Sequence, residues 1–568
     1  MLRYFLMSTI LKKLLLYQFK IALNGNRASA GFSFIKVMGI GILETFRKII
    51  LATITLAVMA LACGTASAGT LTVDANGEAD FTTIQEAVDF AKEGDTILVM
   101  PGKYVENVHI GKPLSIISEA GAPEGTVVEA ADRRDHVFHI SADNVNISGF
   151  TLQGAKNEDD LIAGIYMDNV EKNTIRGNIL SGNYYGIYLK KSRQNSLSEN
   201  LASNNKYGLI LCVSSGENVL SRNRISDNSY GVYLETACNN NVLTGNTVCS
   251  NREAGVLVVS SSCTDLNSNN ISSNPKVGIE LDSSRGNNIS NNSVSGNEKG
   301  ILISLSGDNR ITGNSVNSNS VCGLQLGGSA ERNTIEDNSF YENKDGIFIA
   351  YFARYNTVTS NIVLNNDRGI YLTGHSDYNE VLENTVSSNS FGFYVEYCKE
   401  NVLKGNMVTS NTDRGILLTE SFDNVIYNNY FNNTKNAAED KSNIWNTTKT
   451  AGTNIAGGSY LGGNCWASPE RNGFSQACED VDGDGICDFP YMVEDTDSDA
   501  DELALVYSPN IDSLIQEKVI IPEVAENESE AKGASEEKEE AEKAPLGPAY
   551  PLGVLLIAFF FSDRKRNR

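Results

Sequence analysis

The chain has 568 residues, 41% of them hydrophobic and 20% charged, so most of it is expected to fold. Asp and Glu number 70 against 46 Lys and Arg, a formal net charge of −24. That balance excludes a typical nucleic-acid binder, which needs basic surface to displace counterions, and suits an acidic protein that holds cations.

Residues 1–68 read as an N-terminal extension and signal peptide. Ile49–Ala62 is an uncharged run of 14, preceded by Arg47 and Lys48 and followed by Ala66-Ser67-Ala68. This is the layout of a secretory signal and is too short for a comfortable membrane span. Cleavage is expected after Ala68, with Met38 as an alternative start. Loss of Cys63 leaves nine cysteines, an odd number that forbids complete internal pairing, and no C-x-x-C pair occurs.

Residues 69–163 are expected to form an N-terminal cap and the first coils. Thr83–Lys92 is a short amphipathic helix suited to covering an open core. Strand-like segments follow near Thr96–Met100, Val108, Ile116, Val127, Phe138 and Ile147.

Residues 164–435 carry a repeat of about 23 residues. A glycine followed by an apolar-x-apolar triplet recurs from Gly164, Gly186 and Gly208 through Gly415. The position after each glycine is apolar (Ile165, Ile187, Leu209, Val232), and so is the third. The second varies among Tyr, Glu, Gln and Leu. Asparagines punctuate each unit, as in Asn173, Asn178 and Asn183 before Gly186. Period two means strands with one buried face. Three short strands per unit cannot bury that face alone, so the units must stack. The expected fold is all-β: a single-stranded, right-handed parallel β-helix, a pectate-lyase-like solenoid. Asn suits its bends because it tolerates the left-handed region and can bond its stacked neighbour.

If the flanking positions point inward, the second position after glycine points outward. Tyr166, Tyr188 and Tyr233 lie there, then Phe348, Tyr371 and Tyr394 on three consecutive coils. The second set is expected to stack as an aromatic ladder, with Tyr351, Phe352 and Tyr397 nearby and Glu396, Arg368 and Arg414 as polar neighbours. Sugars pack C–H faces on such rings while charged groups fix hydroxyls or uronates. The competing reading is cross-coil stacking for stability alone. Asp159-Asp160, Glu235, Asp282 and Glu396 are scattered acids without a clear catalytic pairing. Cys238 and Cys263 are 25 residues apart, which suggests either a bridge between coils or an inward thiol stack. The N-x-S/T sequons from Asn146 to Asn527 permit glycosylation, and an Asn/Ser-rich repeat also produces them by chance.

Residues 436–510 are expected to form a C-terminal cap with an acidic, calcium-type loop. It holds Trp445, Trp466 and three cysteines (Cys465, Cys478, Cys487), among which one disulfide is expected. Asp480, Asp482, Asp484 and Asp488 alternate around Gly485, and Ile486 would add a backbone carbonyl. Tyr491 stands where an EF-hand has its bidentate Glu, so Glu494 or Asp495 would have to compensate. A structural Ca2+ is the expected cofactor.

Residues 511–544 are an acidic linker, and 545–568 an apolar, then basic, tail expected to sort or anchor the protein at the cell envelope or membrane.

The segment DFTTIQEAVDFAKEGDTILVMPGKYVENVHIGKPLSII (80–117), LGGNCW (461–466) and DVDGDGICDFPY (480–491) resemble NosD-like parallel β-helix proteins, also called carbohydrate-binding and sugar-hydrolase (CASH) repeat proteins. The resemblance runs from about 70 to 500 and implies a solenoid that carries lyases, hydrolases, epimerases or pure binders. It also implies a role in copper-enzyme maturation. The chain has only four histidines (His109, His136, His139, His375), and strand alternation would send His136 and His139 to opposite faces. Copper is therefore not the expected cofactor. The sequence points to a secreted, surface-attached protein that binds extracellular or envelope polysaccharide without turnover. The alternatives are a calcium-dependent polysaccharide lyase or glycoside hydrolase, a structural surface or adhesion protein, and a copper-maturation factor.

Overall fold

The computed structural model describes residues 68–157, 161–494, 496 and 499–511. The expected signal, most of the acidic linker, the apolar tail and Asp159-Asp160 lie outside the described residues.

The chain winds into a right-handed β-solenoid of about 16 turns. Three parallel sheets of 16, 15 and 16 strands run its length. One coil consists of Thr174–Arg176, Ile179–Ser181 and Tyr185–Lys190, one strand in each sheet. The register places equivalent residues over one another, so Ile165 pairs Ile187, Ile187 pairs Leu209, and Leu209 pairs Val232. These aliphatic columns fill the bore and are fully buried. The 15-stranded sheet holds the longest strands, each starting beside a repeat glycine; we call it the glycine-strand sheet.

Close approach between coils explains the repeat glycine. A Cβ on Gly186 would lie 2.4 Å from the carbonyl oxygen of Gly208, and one on Gly231 equally near that of Gly255. No side chain fits that gap.

Three buried asparagine columns hold the corners. The Asn200 N–H and Nδ2 both donate to Asn223 Oδ1 at 3.0 Å, and Nδ2 also donates to the Ile175 carbonyl at 2.9 Å. This column runs unbroken from Asn178 to Asn464. Each amide thereby satisfies backbone groups that a tight, dry corner would otherwise orphan. Another column is interrupted at Thr264, whose buried Oγ1 has no partner among the described residues.

The ends of the bore are closed differently. Helix α1, Ile84–Phe90, buries Ile84, Ala87 and Val88 at the N-terminal end. Its first N–H groups donate to the Glu106 carboxylate at 2.9 Å. At the other end the buried Trp466 stacks on Phe431 at 4.8 Å and on Tyr491 at 4.1 Å, with Trp445 beside it at 5.6 Å. Each indole N–H donates to a buried carboxylate: Trp445 to Glu439 at 2.7 Å, Trp466 to Asp501 at 2.8 Å. Burial raises both carboxyls to about 7, against the hydrogen bonds that lower them.

Of the three cap cysteines, Cys478 bonds Cys487, and Cys465 is buried outside that bridge. Neither arrangement considered for Cys238 and Cys263 forms. Cys238 is buried and its N–H meets Ser261 Oγ one coil on, whereas Cys263 is exposed on a turn. The coil there advances 23 residues, so a spacing of 25 falls two positions out of register.

Candidate functional site

Along the glycine-strand sheet, side chains one before and two and four after each glycine share the outer face. The expected ladder is present: Phe348 lies 5.1 Å from Tyr371, and Tyr371 lies 5.2 Å from Tyr394, each pair within 13° of parallel. The register makes this stack, since Phe348 pairs Tyr371 and Tyr371 pairs Tyr394. The rings spend much of their faces on one another. Tyr371 is buried, and its hydroxyl donates to Glu396 at 2.8 Å. Burial, ahead of the nearby carboxylate, pushes its phenol up to about 12.

Both expected arginines are already paired. Arg368 grips Asp345 with Nε–Oδ1 at 2.6 Å and Nη2–Oδ2 at 2.8 Å, and its guanidinium lies 3.9 Å from the Tyr371 ring centre. Arg414 donates to the Ala437 carbonyl at 3.2 Å and to Glu494 at 3.0 Å. What the ladder region offers a ligand is ring edges, Glu396, and the aromatics of the adjoining turns. There Tyr351 is 60% exposed, Phe352 53% and Tyr397 51%. Tyr351 meets Phe348 edge-on at 6.5 Å, which joins the turn to the ladder.

A second band occupies the N-terminal coils of the same face. Tyr166 and Tyr188 approach to 5.0 Å, as expected from the repeat. Tyr185, Tyr207 and Tyr230, each directly before a glycine, join them: Tyr185 lies 4.9 Å from Tyr188, and Tyr207 stacks on Tyr230 at 5.0 Å. The reading of the sequence missed these three by following only the second position after glycine. Tyrosine before three successive glycines was the available signal.

This band adjoins three histidines, which corrects the expectation that His136 and His139 diverge. Their rings lie 5.5 Å apart, and His109 lies 5.4 Å from His139. The strand begins only at Phe138, so strict alternation does not govern His136. His136 stacks on Tyr166 at 4.2 Å and its Nδ1 accepts the Ala163 N–H at 3.0 Å. Burial, then His139, lowers its pKa to about 4; His139 is lowered for the same first reason. His109 pairs with Asp135 at 3.2 Å.

Among the described residues, the ligand atoms of these three imidazoles do not all lie within 4.8 Å of one another. Among the described residues, the group of three His, Cys, Asp or Glu side chains whose ligand atoms lie within 4.8 Å of one another is Asp480, Asp482 and Asp488. Three carboxylates suit a hard cation rather than copper. Asp484 instead pairs with Lys449, and its Oδ1 accepts the Ile486 N–H at 2.8 Å. The Asp480 carboxylate accepts the N–H groups of Asp484 and Gly485 at 3.1 and 3.0 Å.

Between the aromatic bands, Glu280 and Asp282 share one strand and one face. Burial, with Asp282 adding to it, raises the Glu280 carboxyl above its usual range.

Several solved β-helix structures are similar to this chain at low identity. The A-module of the Azotobacter vinelandii mannuronan C-5 epimerase AlgE6 matches at 16% identity and TM-score 0.46, covering 57% of this chain and 92% of that one. The catalytic domain of a GH87 alpha-1,3-glucanase in complex with nigerose matches at 14% and 0.41, covering 61% and 70%. At that level the likeness says nothing about activity. A "Cell surface glycoprotein" of Methanothermus fervidus is 38% identical over 119 residues, 20% of this chain and 18% of that protein, so this chain spans under a fifth of that relative. Residues 89–263, 236–344 and 320–471 match the family described as periplasmic copper-binding protein (NosD). These matches cover well over half of the chain, which therefore belongs to the NosD family.

Proposed function

We propose that this chain is a cell-surface β-helix protein that binds extracellular or envelope polysaccharide along the outer face of its glycine-strand sheet, without cleaving it. The observation that carries this reading is the aromatic lining of that face, above all the exposed Tyr351, Phe352 and Tyr397 beside the Phe348–Tyr371–Tyr394 stack. A contiguous exposed aromatic patch is costly in water and marks a contact surface. Amphipathic rings with carboxylates beside them suit sugars, whose C–H faces pack on aromatics while hydroxyls donate to acids. The named relative and the periplasmic family description support an exported location. The acidic tail region is read as the spacer and anchor, and the Asp480 loop as a structural Ca2+ site.

A rival reading, turnover, is favoured by Glu280 alone: a carboxyl whose pKa burial raises, next to a second acid, is the raw material of a glycosidase. The test is a glycan array on the full chain, followed by assays of retained polysaccharides for new reducing or unsaturated ends. Retention without new ends supports binding; new ends assign an enzyme.

A further inference from the structure

The fifth residue after each repeat glycine opens the turn that leaves the glycine-strand sheet. On five consecutive coils this residue is Leu305, Gly328, Tyr351, Gly374 and Tyr397. The strand register stacks them, since Ser304 pairs Gly327, Leu326 pairs Ile349, Ile349 pairs Leu372 and Leu372 pairs Val395. All five share the left-handed conformation, with φ between 50° and 62°. A large apolar side chain alternates with none at all. The column therefore repeats every second coil, whereas the bore beneath it repeats every coil.

Packing accounts for little of this alternation. Leu305 is 58% exposed, as Tyr351 and Tyr397 are to similar degrees. Left-handed backbone disfavours leucine and tyrosine, and the coil before Leu305 has Ser283 at this position. Three bulky groups thus stand in water along one edge of the outer face, on backbone that opposes them. Rings on successive coils of the adjoining ladder lie 5.1 and 5.2 Å apart, so groups two coils apart are about 10 Å apart. Gly328 and Gly374 put no side chain into the two intervals.

We propose that Leu305, Tyr351 and Tyr397 bind a neutral β-1,4-linked pyranose chain laid parallel to the solenoid axis, with every second sugar seated on one of the three. The inference rests on the polysaccharide reading above and narrows it to a linkage class. A β-1,4-linked hexopyranose chain with equatorial linkages extends as a flat ribbon in which each residue is turned over relative to the last. It presents the same face at every second residue, and that repeat matches the two-coil interval of about 10 Å. The seated sugars pack their C–H faces on the three apolar groups, and each inverted sugar between them passes over a glycine. A β-1,3- or α-1,4-linked chain coils away from a straight row and cannot reach all three platforms. Beside the row, Glu396 accepts from the Tyr371 hydroxyl, and its negative charge favours hydroxyl donors over a polyuronate.

The test is calorimetric titration of the full chain with cellohexaose and mannohexaose, against laminarihexaose (β-1,3) and maltohexaose (α-1,4). Wild type, Tyr351→Ala, Leu305→Tyr and Ser283→Tyr are compared, and thermal unfolding is recorded for each. Leu305→Tyr adds a ring in step with the two tyrosines, and Ser283→Tyr adds the same ring one coil out of step. Both sites have the backbone conformation that already carries Tyr351 and Tyr397. A β-1,4 hexamer should bind wild type about tenfold or more tighter than either other linkage. Tyr351→Ala should lose about fivefold, Leu305→Tyr gain about threefold, and Ser283→Tyr stay within about twofold of wild type. Preference for laminarihexaose or maltohexaose, or equal gains from the two added rings, overturns the assignment and leaves the polysaccharide reading standing. So does a wild type that retains a glycan on an array but binds neither β-1,4 hexamer. The two added-ring variants decide the matter even where Tyr351→Ala lowers the melting temperature. Wild type that binds none of the four hexamers, nor any glycan on an array, removes the polysaccharide reading and the assignment together.

Discussion

Arg368 and Asp345 form a bidentate pair between adjacent coils, with contacts of 2.6 and 2.8 Å. Asp345 is buried and Arg368 mostly so, and the same guanidinium lies over Tyr371. The pair therefore fixes the base of the aromatic ladder and neutralises the guanidinium stacked on Tyr371. Breaking a buried pair by removing one partner costs about 3–5 kcal/mol, much of it the stranded charge. Asp345→Asn is expected to lower unfolding free energy by about 3 kcal/mol in denaturant titrations. Asp345→Asn/Arg368→Gln should recover part of that loss. The single variant, with its cation unpaired, should also gain affinity for acidic glycans relative to wild type.

Thr264 is the flaw in an otherwise continuous asparagine column. Its N–H donates to Asn287 Oδ1 at 2.9 Å, yet its own Oγ1 is unmet. Thr264→Asn restores an amide able to take the Asn241 N–H above it. It should stabilise the solenoid by about 1 kcal/mol, read as a higher denaturant midpoint with unchanged slope.

Glu439 and Asp501 give the C-terminal cap a pH dependence of predictable sign. Both are raised by burial to about 7 in the fold, well above the unfolded values near 4. The fold then binds their protons more tightly than the unfolded chain does. Their stabilising contribution is complete below about pH 4 and is lost as pH rises through about 7. Each shift corresponds to an effect on the order of 3 kcal/mol. Cap unfolding, followed by tryptophan fluorescence, should occur at higher temperature at pH 5 than at pH 8. Glu439→Gln and Asp501→Asn should each flatten that difference, and an unchanged slope would count against the assignment.

Asp480, Asp482 and Asp488 bring their carboxylate oxygens together beside the Cys478–Cys487 bridge. Calcium at a hundredfold excess over its Kd should add about 3 kcal/mol to stability, visible as a rise in the melting temperature. Asp482→Ala/Asp488→Ala should abolish that rise, and chelation should reverse it in wild type. A wild-type chain indifferent to calcium contradicts the reading.

The solenoid was legible in the sequence because its physics is periodic. One glycine, inward aliphatics on all three strands and three asparagines per 23 residues leave a single way to stack, and Gly186, Ile187 and Asn200 occupy the places that pattern implies. The outer face was less legible, since outward positions are not constrained by the bore. The ladder at Phe348, Tyr371 and Tyr394 was readable from register alone. That Arg368 and Arg414 are spent on Asp345 and Glu494 was not, because the latter pairing spans 80 residues and depends on how the cap folds back. The convergence of His109, His136 and His139 was hidden for a related reason: His136 lies before its strand begins, where alternation carries no information.

The most direct test of the central claim is the dissociation constant of the full chain for a polysaccharide it retains on an array, measured for wild type and for Tyr351→Ala/Tyr397→Ala. Both side chains are exposed on turns, so the variant should melt like wild type. Binding along the glycine-strand face predicts a loss of about tenfold or more for the variant, about 1 kcal/mol for each ring. Unchanged affinity, or a wild-type chain that retains no polysaccharide at all, would contradict the account.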